Sequence, residues 1–220
     1  KIHITQIDGV GPEAALRERH GSATYDEYGN ELSATVSTVH GVTTEILSTY
    51  EIRVADWLVG LHKTEQVTAT DAGPLPPPAP RHVAYEYDAR GLLCHVLIEK
   101  DDPDPAIPEV ITYAHDDEGL VRAVTDSTAN ETSRTTHFAY EPAERVYRSE
   151  EWNDLGQAQW FLVHPAYGTV VATEDANGVT SRSSVDDLGR VRVVKREGQG
   201  AVTVDYVPRV AANGDVVGMS

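Results

Sequence analysis

Aspartate followed three residues later by glycine recurs seven times in this chain, and that recurrence limits what it can fold into more than any other feature. The pairs are Asp8/Gly11, Asp26/Gly29, Asp88/Gly91, Asp116/Gly119, Asp175/Gly178, Asp186/Gly189 and Asp215/Gly218. Random placement of 17 glycines among 220 residues would give about one such pair, and matching against a template is the test that separates pattern from composition. Several units carry an aromatic residue directly before the acid, as in Tyr25-Asp26 and Tyr87-Asp88. Trp152-Asn153 ahead of Gly156 is the same unit with an amide for the acid.

The spacing has a physical meaning. Asp is favoured at the first position of a type I turn because its carboxylate accepts the backbone N–H two residues on, and Gly at the fourth position supplies the positive φ that closes a hairpin. The preceding aromatic is then the last strand residue. The flanks alternate with period two: Val83, Tyr85 and Tyr87 interleave with Ala84, Glu86 and Asp88, and Val202, Val204 and Tyr206 with Thr203 and Asp205. β-Branched residues crowd Thr35-Val36-Ser37-Thr38-Val39, 121–125 and 191–194. From Gly168 the steps to Gly178, Gly189 and Gly200 suit one strand plus one turn each, whereas Gly91 to Gly119 is near two or more such steps. These patterns predict an all-β fold of successive antiparallel hairpins. The predicted turn residues are Tyr25, Asp26 and Gly29; Tyr87, Asp88 and Gly91; Asp116 and Gly119; Trp152, Asn153 and Gly156; Asp175 and Gly178; and Asp186 and Gly189.

Connectors interrupt the array. The proline-rich stretch 71–80 cannot be a central strand, since consecutive prolines lack donors and favour an extended conformation. Residues 101–108 read as a decorated hairpin loop, and Pro12 to Glu18 as a short helix. The expected organisation is an N-terminal β segment (1–70), a proline-rich connector (71–82), the hairpin array (83–200) and a C-terminal β segment (201–220). The sheet is expected to curve, with one side covered by the connectors. The opening Lys1-Ile2-His3-Ile4-Thr5 reads as mid-strand, which implies a piece of a longer chain whose strands continue past residue 220.

Composition narrows function. Eighteen Lys and Arg against 35 Asp and Glu give a formal charge of −17, which repels phosphate backbones and anionic membranes. Neither nucleic acid nor direct membrane insertion is expected. The single cysteine, Cys94, allows no internal disulfide, and its place in the apolar run 92–98 reads as a buried structural thiol. The nine histidines lack zinc-ligand spacing, and the Asp-rich loops lack the calcium-loop patterns. No nucleophile elbow is present. No cofactor, metal or catalytic residue is predicted, and 220 residues suffice to bury a real core.

The set of units resembles the YD repeats of the Rhs family. Residues 84–93 (Ala-Tyr-Glu-Tyr-Asp-Ala-Arg-Gly-Leu-Leu), 174–180 and 185–191 carry the resemblance most closely. Residues 25–30 and 56–60 resemble the stretch before or within such an array. The departures are Glu141 and Glu144 in place of Asp and Gly, Pro165 in the acid position before Gly168, and Val185 in place of the tyrosine. These hairpins should be less regular. In Rhs-type polymorphic toxins, related Tc toxin components and teneurins, such repeats form a sheet that spirals into a hollow shell, which in bacterial members encloses a C-terminal toxin. The resemblance therefore implies a non-catalytic wall segment of a secreted or cell-surface bacterial protein. Its partners would be other repeats of the same parent chain and an encapsulated effector domain. If the acidic surplus faces the lumen, basic cargo is favoured. The DPxG signatures of the family's self-cleavage element are absent. A second reading is an adhesion or carbohydrate-binding module using Trp152, Trp160 or Trp57, since aromatic faces stack on sugars. A hydrolase would need converging acid and base groups that the sequence does not display.

Overall fold

The computed structural model describes residues 2–7, 18–38, 41–70, 78–104, 106–206, 208–210 and 216–219. The fold is all-β, built of successive antiparallel hairpins, and divides into two compact units, Lys1–Arg134 and Thr135–Ser220. The helix expected over residues 12–18 lies outside the described residues except for Glu18, which is in a strand.

The first unit runs β1 (Ile2–Ile7), β2 (Glu18–Tyr25), β3 (Glu31–Thr38), β4 (Thr43–Arg53), β5 (Leu58–Thr70), β6 (Arg81–Tyr87), β7 (Leu93–Ile98), β8 (Glu109–His115) and β9 (Val121–Thr128), each hydrogen-bonded to the next in chain order. The second holds β10 (Arg134–Tyr140), β11 (Arg148–Asn153), β12 (Ala158–Val163), β13 (Val170–Glu174), β14 (Thr180–Val185), β15 (Val191–Arg196) and the two-residue β16 (Val202–Thr203), also in chain order. β17 (Pro208–Val210) and β18 (Val216–Met219) form a separate hairpin. A strict meander places successive turns at alternate ends of a sheet.

Register sets which side chains of the first unit share a face, because alternate residues face opposite sides. One face carries the rungs Ala34–Ile46–Val67 and Tyr85–Val96–Ile111. The other carries Ser33–Leu47–Gln66–His82 and Thr35–Glu45–Thr68. Hydroxyl pairs bridge strands on this second face: Thr24 with Ser33 at 2.6 Å and Ser37 with Thr43 at 3.1 Å. Near the β4–β5 bulge, His62 stacks between Tyr50 (5.0 Å) and Tyr85 (4.9 Å).

The expected core is not there. Among the described residues between 21 and 206 only Phe138 and Ser48 are buried; even the apolar strand β7 is half-buried along its whole length. A single-layer sheet shields side chains only by their in-plane neighbours, so length alone does not produce an interior. Nor do the described parts of the connectors cover a side. Residues 78–80 are exposed, and the 99–108 loop contributes only Lys100 and Asp101 to the edge of a trough beside Leu47 and Ala84. Cys94 is likewise half-buried rather than buried, its thiol directed to the Leu92 carbonyl at 3.6 Å.

Phe138 is 7% exposed with the Arg148 guanidinium 3.9 Å from its ring centroid. Phe138→Ala is expected to destabilise the second unit by about 3 kcal/mol, while Leu155→Ala, at a position 84% exposed, should stay within about 0.5 kcal/mol. Urea unfolding of the two variants checks the contrast.

Candidate functional site

The residues with the most developed geometry are the turns themselves. Six share one arrangement, headed by Asp26, Asp88, Asp116, Asn153, Asp175 and Asp186. In each, the head residue's Oδ1 accepts two backbone N–H groups, from the second and the fourth residue on, at 2.8–3.1 Å. The head residue's own N–H donates to the carbonyl four residues on, and the glycine N–H donates back to the head carbonyl. This is a type I turn closed by a residue of positive φ, the three-residue hairpin connection whose twist suits antiparallel strands. One side-chain oxygen thus satisfies two donors that a tight turn would otherwise leave to water.

The second carboxylate oxygen is also occupied. Asp26 Oδ2 accepts the Asn30 amide at 2.8 Å, and arginines meet the others: Arg90 at Asp88 (3.0 Å), Arg122 at Asp116 (3.9 Å), Arg196 at Asp175 (3.5 Å) and Arg190 at Asp186 (2.7 Å). These pairs are partly exposed and individually weak; they place four of the 18 Lys and Arg residues at the turns.

The departures have their own solutions. Glu141 reaches across a longer loop, accepting the Ala143 and Glu144 N–H groups on Oε2 and the Val146 N–H on Oε1, and Arg145 takes the positive φ of 56°. The head before Gly168 is His164 rather than Pro165. The His164 carbonyl accepts from both Tyr167 and Gly168, and its Nδ1 faces the Ala166 N–H at 3.3 Å. Proline has no N–H to close the ladder and its fixed φ suits the second turn position instead. The final step falls at Gly198 (φ 73°), not Gly200. Between β4 and β5 a short 3₁₀ turn, Val54–Asp56, ends with Trp57 in the left-handed region and 77% exposed. Asp8 and Gly11 lie outside the described residues, as does Asp215, while Gly218 is in β18.

Aromatic neighbours differ in role. Tyr25 ends β2 and donates its hydroxyl to Glu31 at 3.3 Å. Tyr87 ends β6 and donates to the His62 carbonyl at 2.9 Å. Trp152 stacks on His137 at 5.3 Å, and that imidazole meets Asp154 at 3.0 Å. Among the described residues no cluster of three His, Cys, Asp or Glu side chains could hold a metal ion, and no helix is long and apolar enough to cross a membrane.

Turns at one end of a unit are joined by contacts that the Asp–Gly spacing does not reveal. In the first unit, Asn30 donates to the Val59 carbonyl, Arg53 to that of Asp88, and Arg90 to those of Asp116 and Asp117. Leu58 lies over Gly91 and Leu92 over Gly119. In the second unit Tyr147 covers Gly168 and donates to the Pro165 carbonyl, and Tyr167 covers Gly189 and donates to the Asp187 carbonyl. The turns at Gly91, Gly119, Gly168 and Gly189 are each clasped by the turn two strands back. The only sequence trace is an apolar or basic residue beside the turn glycine, as in Arg90-Gly91-Leu92 and Tyr167-Gly168.

No protein-family model and no curated protein matches the chain. Solved structures do. The crystal structure of TcdB2-TccC3-TEV aligns over 81% of this chain at 11% identity and TM-score 0.46. The Photorhabdus luminescens Tc holotoxin pore with a mutated TccC3 aligns over 91% at 12% identity and TM-score 0.25, and TcdB2-TccC3-Cdc42 over 91% at 12% and 0.24. This chain spans only 11%, 15% and 16% of the three matched chains, respectively.

Close cover makes the glycines unequal. A Cβ at Gly189 would lie 2.5 Å from Cγ and 2.7 Å from Cβ of Tyr167, and the Cβ cannot move independently of its backbone, whereas one at Gly178 meets nothing within 4 Å. Both have positive φ. Gly178→Ala should therefore cost about 1 kcal/mol for backbone strain, and Gly189→Ala about 3 kcal/mol because the clasp must also be displaced. Urea midpoints of the two variants test the order.

Acid should loosen the turns. At Asp88 the Leu92 N–H is the largest influence and, with Arg90, holds the carboxyl below its usual range despite partial desolvation. At Asp186 the Arg190 side chain leads to the same result. At Asp26 desolvation is the largest single influence and opposes ionisation, but bonds from Asn30 and Tyr28 together outweigh it. At Glu141 the N–H groups of Glu144 and Val146 lower it. A depressed folded-state value means that the ionised form stabilises the fold above the unfolded-chain value, 3.8 for Asp and 4.5 for Glu. That contribution is lost as pH falls through the lower folded values. Melting temperature should hold from neutral pH to about 5 and fall steeply below about 4. Asp186→Asn, which keeps the acceptor as Asn153 does, should flatten that fall; thermal melts across this range check it.

Proposed function

We propose that this chain is a wall segment of an Rhs/YD-type shell that encloses a toxic or effector domain for delivery, and that it performs no catalysis of its own. The observation that carries the reading is a sheet one layer thick, with half-exposed faces and turns clasped to the turns beside them. Such a sheet is stabilised along its own plane, as in repeat architectures whose units bury surface chiefly against neighbours. It separates two spaces. A wall needs continuity between repeats more than it needs a pocket, and the six matched turns, together with the clasps over Gly91, Gly119, Gly168 and Gly189, supply continuity.

The same reading places the chain outside the cell, as part of a larger exported protein, with further repeats as its immediate partners. Its six turns, headed by Asp26, Asp88, Asp116, Asn153, Asp175 and Asp186, act here as structural joints. Bacterial origin and an enclosed effector follow from the family resemblance.

Denaturing electrophoresis of source cells, probed with an antibody against this segment, tests the proposal. A native polypeptide well above roughly 100 kDa is expected for a shell built of many repeats. A band near 24.0 kDa would overturn enclosure.

A further inference from the structure

The residue ahead of the glycine differs among the six matched turns: Tyr28, Arg90, Glu118, Leu155 and Leu188 fill the place in five, and Asn177 in the sixth. An asparagine followed by glycine carries its own chemistry. The glycine amide nitrogen, freed of its proton by hydroxide, can attack the asparagine Cγ, and no β-carbon on the glycine hinders it. Asn177 is exposed, and a Cβ at Gly178 would meet nothing within 4 Å. There is room for the ring that such an attack forms.

The turn sets the rate of that attack. The Gly178 N–H donates to the Asp175 carbonyl at 2.8 Å, and the Asn177 and Val179 N–H groups donate to Asp175 Oδ1 at 2.9 and 3.0 Å. At the third position of a type I turn ψ is about 0°, so closing a ring onto the side chain needs a rotation of roughly 120° about the Asn177 Cα–C bond. That rotation breaks the Gly178 bond and carries Val179 away from Oδ1. The reaction therefore runs from the opened turn, at a rate set by the opened population. Opening is opposed less here than at the clasped turns. Gly91, Gly119, Gly168 and Gly189 lie under side chains from the turn two strands back, and Gly178 does not. Three residue pairs join β13 to β14, and the Arg196–Asp175 contact is 3.5 Å long and partly exposed.

We propose that Asn177 is a site of spontaneous deamidation, at which the opened form of one hairpin turn is converted to isoaspartate and cannot close again. The Gly178 nitrogen bonds to Asn177 Cγ as the Cγ–Nδ2 bond breaks and ammonia leaves, giving a succinimide. Water then adds to one of its two carbonyls. Addition at Cγ yields aspartate at position 177; addition at the backbone carbonyl routes the main chain through the side chain as isoaspartate. The added main-chain atom parts the Val179 N–H from Asp175 Oδ1 while the strand register holds. This inference rests on the turn geometry and is independent of whether the chain encloses anything.

The test incubates the full 220-residue chain at mildly alkaline pH and follows its tryptic peptide 149–182 by mass spectrometry, with fragmentation that separates aspartate from isoaspartate. Conversion at Asn177 is expected about tenfold or more slower in the native chain than in urea. Asp175→Ala, which removes the acceptor of two N–H groups, should speed native conversion about tenfold. Asp175→Asn, which keeps the acceptor as Asn153 does, and Asp88→Ala, in a turn of the first unit, should leave the rate near that of the parent. If Asp175→Ala does not fold, Arg196→Ala, which removes only the exposed partner of Asp175 Oδ2, takes its place with about a twofold gain. Converted molecules should lose hydrogen-exchange protection in β13 and β14. Equal rates in native and unfolded chains, no native conversion over many times the period the unfolded chain needs, parent-like rates in the folded turn variant, or unchanged protection after conversion would overturn the proposal. None of these outcomes bears on the native polypeptide's size.

Discussion

Everything in this fold depends on one oxygen atom per turn. In the six matched turns the Oδ1 of the heading Asp or Asn takes two N–H groups at once and fixes the direction in which the next strand leaves. A side chain that satisfies two donors holds the turn without help from a distant partner, so it works equally well in a sheet that has no second layer. Asn153 shows that the acceptor, not the charge, is the essential element, since its amide oxygen makes the same pair of bonds. Charge enters afterwards, through the arginines on the second oxygen and the lowered carboxyl values.

A one-layer sheet leaves little stabilisation to packing, and its interactions are arranged accordingly. Cross-strand pairs and turn-to-turn clasps do what a core does elsewhere. The clasps act between turns two strands apart, so they couple each hairpin to the next and resist sliding of one repeat on another. The aromatic stack Tyr50–His62–Tyr85 extends the same lateral logic into the sheet. There the logic has a cost: the buried His62 Nε2 has no hydrogen-bond partner among the described residues, and an unpaired buried polar atom typically costs about 1–3 kcal/mol.

Trp57 and Arg145 show how the pattern tolerates lost glycines. Both adopt the left-handed backbone region that glycine occupies in the matched turns, at φ 57° and 56°, which strains a residue with a side chain. In each case the chain compensates locally. The Trp57 N–H bonds the Val54 carbonyl and its successor Leu58 clasps Gly91; at Arg145 the Glu141 carboxylate gathers three N–H groups around the loop. The repeat thus tolerates sequence drift at a turn provided some acceptor and some positive φ remain.

The all-β meander was legible in the sequence because its causes are local. Asp-to-Gly spacing and period-two alternation act within a few residues, and they identify turns such as 88–91 and 186–189 from the chain alone. Where a turn's head was proline, local reading misplaced it by one residue, since Pro165 cannot donate and His164 takes its part. Only the tertiary structure decided how little of the chain is buried, because burial depends on whether a second layer exists, and that is not a property of any window of sequence. It alone decided the clasps, too. Arg90 and Tyr167 meet carbonyls 20 or more residues away, and such contacts arise from strand register summed over a whole hairpin, which no local spacing encodes.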